Sequence, residues 1–171
     1  MPDNQEVFAH AIHPYSAIIE LVEPVSEEQA STVQGVSGDD EVSKDKRAVA
    51  FHVDEFCRLG GDSYSIDEEV RQITAGRLPN APAYATHGNI HSTPKPVQTA
   101  ATATDMREIG TRHDSGLWLL LFRLKEKATD LLVTVTSKNP DHDQFLLNAM
   151  PRIVERIAET VNIVNWTLFD T

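Results

Sequence analysis

The chain has little of what disulfide bonding, membrane insertion or nucleotide binding requires. It contains one cysteine, Cys57, in 171 residues, so no intramolecular disulfide is expected, and this suits a reducing compartment. No apolar run approaches the roughly 20 residues of a membrane-spanning helix, and the first residues lack the apolar segment of a secretory signal. The eight glycines are scattered, and none begins a G-x-x-x-x-G-K-[ST] motif, which argues against a Walker-type nucleotide loop.

Basic residues are also scarce. There are 15 lysines and arginines against 26 aspartates and glutamates, for a formal net charge of −11. Such a balance argues against direct contact with nucleic acid, whose phosphates would be repelled. It suits a basic protein partner, because complementary fields raise encounter rates. Solubility alone is the competing explanation of the same charge.

The composition that remains is that of one globular domain spanning residues 1–171. Hydrophobic residues make up 40% and charged residues 24%, and the length suffices to bury a core. Two stretches, about 26–45 and 78–114, are rich in Ser, Gly and acids or in Pro, Ala and Thr. Both are predicted to be flexible loops.

Strands are predicted at both ends of the chain and in its middle. Glu6–His10 and Ala17–Glu23 are predicted to form a hairpin, although the acids of the second segment are three residues apart, which a helix would also accommodate. Gly116–Leu124 and Asp130–Thr136 are predicted as a second antiparallel hairpin. Within the first of these two strands, Leu117–Phe122 is continuously apolar, so both faces of that strand should be covered. A short strand is expected at Val161–Val164.

Helices are predicted from apolar periodicity and from capping motifs. Lys44–Leu59 carries a stripe of Val49, Val53 and Phe56 and ends at a glycine pair. The capping-box spacing that begins at Ser65 predicts a short helix to about Ala75. Asp141–Thr160 is predicted to be helical with a kink or a break at Pro151. The fold class is therefore α+β, an antiparallel-rich sheet with helices packed on it.

Metal and nucleophile chemistry have weak support. His87 and His91 have i, i+4 spacing, which chelates a metal well on a helix, but their segment is flanked by Gly and Pro and no further ligands complete a set. Cys57 and His52 are five residues apart on a predicted helix and would point in different directions. We therefore predict no metal, no cofactor and no catalytic residue.

Several motifs together resemble one family. The chain begins P-D-N-Q-E-V-F after Met1, continues with S-A-I-I-E-L-V-E from Ser16, and has A-F-H-V-D-E from Ala50. Later it has L-F-R-L from Leu121, T-D-L-L-V-T from Thr129 and V-N-W-T-L-F from Val164. In this order the motifs resemble those of the Mog family, the Ran-interacting nuclear-import factors also called Ran guanine nucleotide release factors. Asn165 stands where the family has Asp, and residues 61–114 match poorly.

The resemblance implies a fold, a partner and a site. The fold is a central antiparallel sheet between helices, an α/β/α sandwich that also occurs in an extrinsic subunit of the photosynthetic oxygen-evolving complex. The partner is the GTPase Ran, and the implied activity is release of its guanine nucleotide in support of nuclear import, by a monomer in the nucleus and cytoplasm. The implied Ran-binding residues are Glu20 and Glu23 of the second motif, with Asp3, Asn4 and Glu6 of the first.

Other interpretations stay open at the level of sequence. Glu20 and Glu23 could be a solvent-facing acid and a strand-end acid without a partner. A small-molecule or metal-dependent enzyme on the same scaffold, or a trafficking adaptor for another partner, would also fit the composition. Family members usually carry an N-terminal segment before P-D-N-Q-E-V-F. The chain is expected to lack that segment and to expose the edge of its first strand.

Overall fold

A computed structural model describes residues 5–9, 15–33, 35–78, 80–92, 114–138 and 144–166. Its centre is a six-stranded antiparallel sheet with the strand order β1-β2-β6-β5-β4-β3. The elements in chain order are β1 Gln5–Ala9, β2 Tyr15–Val22, α1 Glu27–Ser31, α2 Glu41–Gly60, β3 Ser63–Ile73, β4 Ala83–His91, β5 Asp114–Leu124, a 3-10 turn at Lys125–Lys127, β6 Thr129–Lys138 and α3 Gln144–Thr160. The predicted α+β class is confirmed.

Both predicted hairpins form. β1 pairs with β2 and β5 with β6, each antiparallel. The second segment of the chain is therefore a strand and not a helix. Because β2 also pairs with β6, the two hairpins join into one half of the sheet, and β1 lies at its outer edge.

The sheet has a helix on each side, so its central strands are covered on both faces. On the α2 face, Leu117, Leu119 and Leu121 pack with Val49 and Val53 of α2. On the α3 face, Trp118, Leu120 and Phe122 of the same strand pack with α3. The α3 residues in this cluster are Met150, Val154 and Ala158. This arrangement explains why the Leu117–Phe122 segment of β5 is continuously apolar.

Helix α2 follows its predicted stripe and stop. Asp40 caps its N-terminus by accepting a hydrogen bond from the Ser43 amide at 3.0 Å, and Gly61 ends it in the left-handed conformation at φ 73°. Val49 and Val53 are buried, whereas Leu59, the last residue of the predicted helix, is 81% exposed. α3 is a single helical element that contains Pro151.

The structure corrects four predictions. The segment after Ser65 is strand β3, not a helix, because it pairs with β4 along Ser63–Ile73. The predicted loop 78–114 contains β4 and the start of β5, and the predicted loop 26–45 contains α1 and the first turn of α2. Residues 161–164 lie in no strand. Within the described residues, no helix is both long and apolar enough to cross a bilayer.

Candidate functional site

Three of the five acids and amides singled out in the sequence lie on the β1–β2 hairpin or next to it. Glu6 is exposed on β1, Glu20 is half-buried on β2, and Glu23 is exposed one residue after β2 ends. Asp3 and Asn4 lie outside the described residues. The hairpin therefore brings the first and second motifs side by side, as the sequence predicted.

The register separates two of these acids onto opposite faces. Glu20 is opposite Leu132 of β6, which packs with α2, so Glu20 is on the α2 face. Glu6 is opposite Ile19, which packs on the α3 face. Paired residues of antiparallel strands share a face. Glu6 and Glu20 are thus neighbours along the hairpin but do not form one patch.

Beside Glu23, a groove of about 280 Å³ opens on the α2 face. Pro24 and Val25, the two residues after Glu23, line one side of it. The other walls come from α1, the start of α2 and the β5–β6 turn, through Glu27, Ala30, Glu41, Lys44, Asp45, Arg47, Arg123, Lys125, Ala128 and Asp130. The groove therefore carries charges of both signs at the end of the sheet where β2 ends.

The floor of the groove is a buried ion-pair network. Arg123 Nη1 is 3.1 Å from Asp45 Oδ1, and Arg123 Nε is 2.9 Å from Asp130 Oδ1. Tyr84 donates its hydroxyl to Asp45 Oδ2 at 3.0 Å, and Lys125 Nζ is 3.3 Å from the same oxygen. The side chains of Asp45 and Asp130 are only 4% and 2% exposed. One arginine thus holds two buried carboxylates from different elements.

Burial dominates the electrostatics of this floor. Desolvation raises the pKa of Asp130 from 3.8 to about 6, against the attraction of Arg123. Burial also lowers the pKa of His52 to about 4, with Arg123 acting in the same direction. His52 Nε2 is buried without a hydrogen-bond partner. At neutral pH His52 is therefore an uncharged side chain beneath the network.

The rim of the groove carries acids and bases that pair with one another. Lys44 pairs with Glu27 at 2.6 Å, and Lys125 pairs with Glu41 at 2.8 Å. Both pairs lower the pKa of the glutamate through the lysine hydrogen bond. Glu23 forms no ion pair with any described residue, and its charge is left for a partner. This arrangement can bind a cationic side chain of another protein, and it contains no nucleophile.

The other candidates of the sequence stay apart from the groove. His87 and His91 lie on β4, where a spacing of four residues separates the side chains by two steps along one face of the strand. No group of three or more His, Cys, Asp or Glu within the described residues is arranged to hold a metal ion. Cys57 is buried, and desolvation raises its thiol pKa to about 11. A thiol with so high a pKa is a poor nucleophile.

The buried ion pairs of Arg123 were not predicted from the sequence, although the sequence contains a sign of them. Arg123 lies within L-F-R-L, and Asp130 is the second residue of T-D-L-L. The hairpin register places these two residues directly opposite each other. A charged residue in each of two apolar strands that are predicted to pair is a recognisable sign of a buried ion pair. Asp45, the other partner of Arg123, lies on helix α2, far away in the sequence, and no local pattern predicts its pairing.

Comparisons with known proteins agree on one family. A sequence model of the Ran-interacting Mog1 protein family matches residues 1–138, and no curated protein matches the chain. A mutant of the protein Mog1 superposes with a TM-score of 0.59 at 15% identity, covering 99% of this chain and 84% of that chain. The 1.9 Å crystal structure of the Saccharomyces cerevisiae Ran-binding protein Mog1p gives a TM-score of 0.48 at 16% identity, covering 92% and 75%. At such identity the first likeness shows a shared fold.

Proposed function

The chain belongs to the Ran-interacting Mog1 protein family, and from that premise we propose that it binds the small GTPase Ran. The family match over residues 1–138 is the observation that carries the proposal. The contact surface that we propose is the end of β2, where Glu20 lies on the α2 face and Glu23 directly precedes the groove residues Pro24 and Val25. An acidic chain with a net charge of −11 would be attracted to a basic patch of the GTPase.

Glu23 and Glu20 have different roles in this proposal. Glu23 is exposed and unpaired among the described residues, so it offers a full charge to a lysine or arginine of the partner. Glu20 shares its face with the groove and is half-buried, so a partner that covers the groove would desolvate it further. Glu6 points to the α3 face and would contribute to binding only through the long-range electrostatic attraction of the acidic chain. Asp3 and Asn4, which precede β1, remain proposed contacts.

Binding at this surface would promote release of the guanine nucleotide. Such nucleotides are held by cationic groups and a magnesium ion. An acidic surface next to that site would divert a lysine or disfavour the phosphates. The free energy comes from binding nucleotide-free Ran more tightly than loaded Ran. No bond forms or breaks in this step. Release of nucleotide would support transport between cytoplasm and nucleus, where we place the protein as a monomer.

The test measures release of a fluorescent guanine nucleotide from Ran. Reversing both acids, Glu20→Lys with Glu23→Lys, should weaken binding by about 2 kcal/mol or more, since close interfacial charge pairs couple by about 1.5 kcal/mol and upward. That is a loss of about 30-fold in affinity. Glu69→Lys with Glu155→Lys is the matched control, because both residues are exposed acids on β3 and α3 and the charge change is the same.

The single variant Glu6→Lys separates the faces. It should affect release much less than Glu23→Lys, because its side chain lies on the α3 face. Unchanged release in the folded Glu20/Glu23 double variant, or an equal loss in the control, would refute the site. No binding of loaded or stripped Ran to the unaltered chain would refute the function itself.

A further inference from the structure

A second cluster of polar side chains lies at the other end of the sheet from the groove. It is formed by Ser65 of β3, His91 of β4 and Asp114 of β5, which are neighbouring strands. Asp114 is directly opposite His91 in the register. Ser65 Oγ is 3.2 Å from His91 Nε2, and His91 Nδ1 is 3.0 Å from Asp114 Oδ1. Hydroxyl, imidazole and carboxylate therefore form one continuous chain of hydrogen bonds.

The partners fix the direction of these bonds. An ionised carboxylate only accepts, so Nδ1–H of a neutral His91 donates to Asp114. Nε2 then keeps its lone pair and accepts from the Ser65 hydroxyl. This is the tautomer that a general base needs in order to activate a serine, and the carboxylate would stabilise the imidazolium that forms. The geometry matches a nucleophile, its base and the group that orients the base.

The cluster is accessible from solvent. Ser65 is exposed, and the side chains of His91 and Asp114 are 25% and 43% exposed. Asn89 is opposite Ser65 in the register, and its Nδ2 donates one hydrogen bond to Asp67 Oδ2 at 2.5 Å. A primary amide has a second N–H. Because Asn89 is paired with Ser65 across the two strands, we assign this second N–H as the donor to an oxyanion.

We propose that Ser65, His91 and Asp114 form a hydrolytic site for small, uncharged carboxylic esters. Ser65 Oγ attacks the carbonyl carbon while its proton moves to His91 Nε2. The ester C–O bond then breaks, and the leaving alcohol takes that proton. Water attacks the acyl-serine with His91 as base, the acid departs, and the proton returns to Ser65. The reaction needs no oxidant, reductant or further reactant.

The surroundings of the cluster restrict the substrate. Asp67 lies on the same strand as Ser65, and Asp114 adds a second acid, so anionic esters would be repelled. On the same face, His87 stacks on the buried Trp118 with ring centroids 4.6 Å apart, and the imidazole of His87, 23% exposed, is the part that can contact a short acyl or alcohol group. The site is separate from the GTPase surface, so its activity does not depend on the proposed binding of Ran.

A serine-directed fluorophosphonate tests the nucleophile. The full chain should be labelled at Ser65, as mapped by peptide mass spectrometry, and labelling should vanish in the urea-unfolded protein. Ser63→Ala is the matched control, because Ser63 is an exposed serine two residues away on the same strand, and it should label normally. Ser65→Ala should abolish labelling, and His91→Gln should slow it by about 100-fold or more.

A second measurement uses p-nitrophenyl acetate. The mass of the intact chain should show an acetyl group on Ser65, and Asp114→Asn should lower the hydrolysis rate with a changed pH profile, because the tautomer of His91 is no longer held. Circular dichroism of each variant separates loss of fold from loss of activity. Labelling of Ser63, equal labelling of folded and unfolded chains, or no acyl-serine would overturn the proposal. Any of these outcomes leaves the Ran test unaffected.

Discussion

The buried ion-pair network predicts an asymmetric response to the loss of its members. Arg123→Met removes the one cation that contacts both Asp45 and Asp130. Asp45 keeps Tyr84 and Lys125, but Asp130 loses its charged partner while its side chain is 2% exposed. Breaking a buried ion pair by removing one partner typically costs about 3–5 kcal/mol. We expect a loss in that range at pH 7.

The pKa of a carboxyl bounds this loss independently. A group that cannot stay ionised in the folded state must be protonated, and protonating a carboxyl with pKa 3.8 at pH 7 costs about 4 kcal/mol. With Arg123 present the pKa of Asp130 is already about 6, which accounts for about 3 kcal/mol of this cost, so the stranded carboxylate of Asp130 adds only about 1 kcal/mol. The rest of the loss comes from Asp45 and from the packing of the arginine, and we therefore expect the lower end of the range, about 3 kcal/mol.

Asp130→Asn should behave differently. The pKa of Asp130 is raised from 3.8 to about 6, so above pH 6 its ionised form destabilises the folded state by about 3 kcal/mol relative to the unfolded chain. This cost already includes the attraction of Arg123, which keeps Asp45, so removing the charge of Asp130 should not destabilise the protein. We expect the free energy of unfolding to stay within about 1 kcal/mol of its value or to rise.

Urea denaturation at pH 7, followed by circular dichroism, measures both changes. Arg71→Met is the control, because Arg71 forms an exposed ion pair with Glu68 at 3.1 Å and such pairs contribute about 1 kcal/mol or less. The reasoning fails if Asp130→Asn destabilises the protein as much as Arg123→Met. It also fails if Arg123→Met costs no more than Arg71→Met.

Four further predictions concern pH, packing and salt. The pKa of His52 is lowered from 6.5 to about 4, so below pH 6.5 the unfolded chain binds more protons than the folded chain, and stability falls on acidification. Between pH 7.5 and pH 5, the His52→Leu variant should lose about 2 kcal/mol less stability than the unaltered protein, as measured by urea titration at each pH. Asp130 has the opposite effect on stability. Its raised pKa stabilises the fold below about pH 4, and that stability is lost as the pH rises through 6. The Asp130→Asn variant should therefore lose stability more steeply on acidification than the unaltered protein. A Cβ at Gly76 would lie 2.6 Å from the Glu159 carbonyl oxygen at the end of α3. Gly76→Ala should therefore destabilise the protein by about 1–3 kcal/mol through overpacking, which a lower melting temperature would show. Gly35 has open space around it, but it is unsuitable as a control because its φ is +97°. Affinity for Ran should fall with ionic strength, and a flat response in a titration from low to high salt would contradict a contact carried by Glu20 and Glu23.

Local patterns in the sequence were sufficient to predict those helices and strands whose buried residues recur at a regular spacing along the element. The stripe of Val49 and Val53 predicted α2, and the apolar run Leu117–Phe122 predicted a strand with two covered faces. These patterns succeed because the period of the backbone decides which side chains point to the core. The motifs at Pro2, Ser16 and Leu121 likewise sufficed for the family, since they are contiguous letters and need no fold to be recognised.

Tertiary structure alone decided what depends on pairing between strands. The capping-box spacing at Ser65 predicted a helix, yet the segment is a strand, because pairing with β4 outweighs a local signal at the start of an element. The same pairing brings Ser65, His91 and Asp114 together from positions 23 and 26 residues apart. Register also placed Glu6 and Glu20 on opposite faces and set Arg123 against Asp130. Contacts across a sheet are non-local, and a shift of one residue reverses every face, so no local pattern of letters determines them.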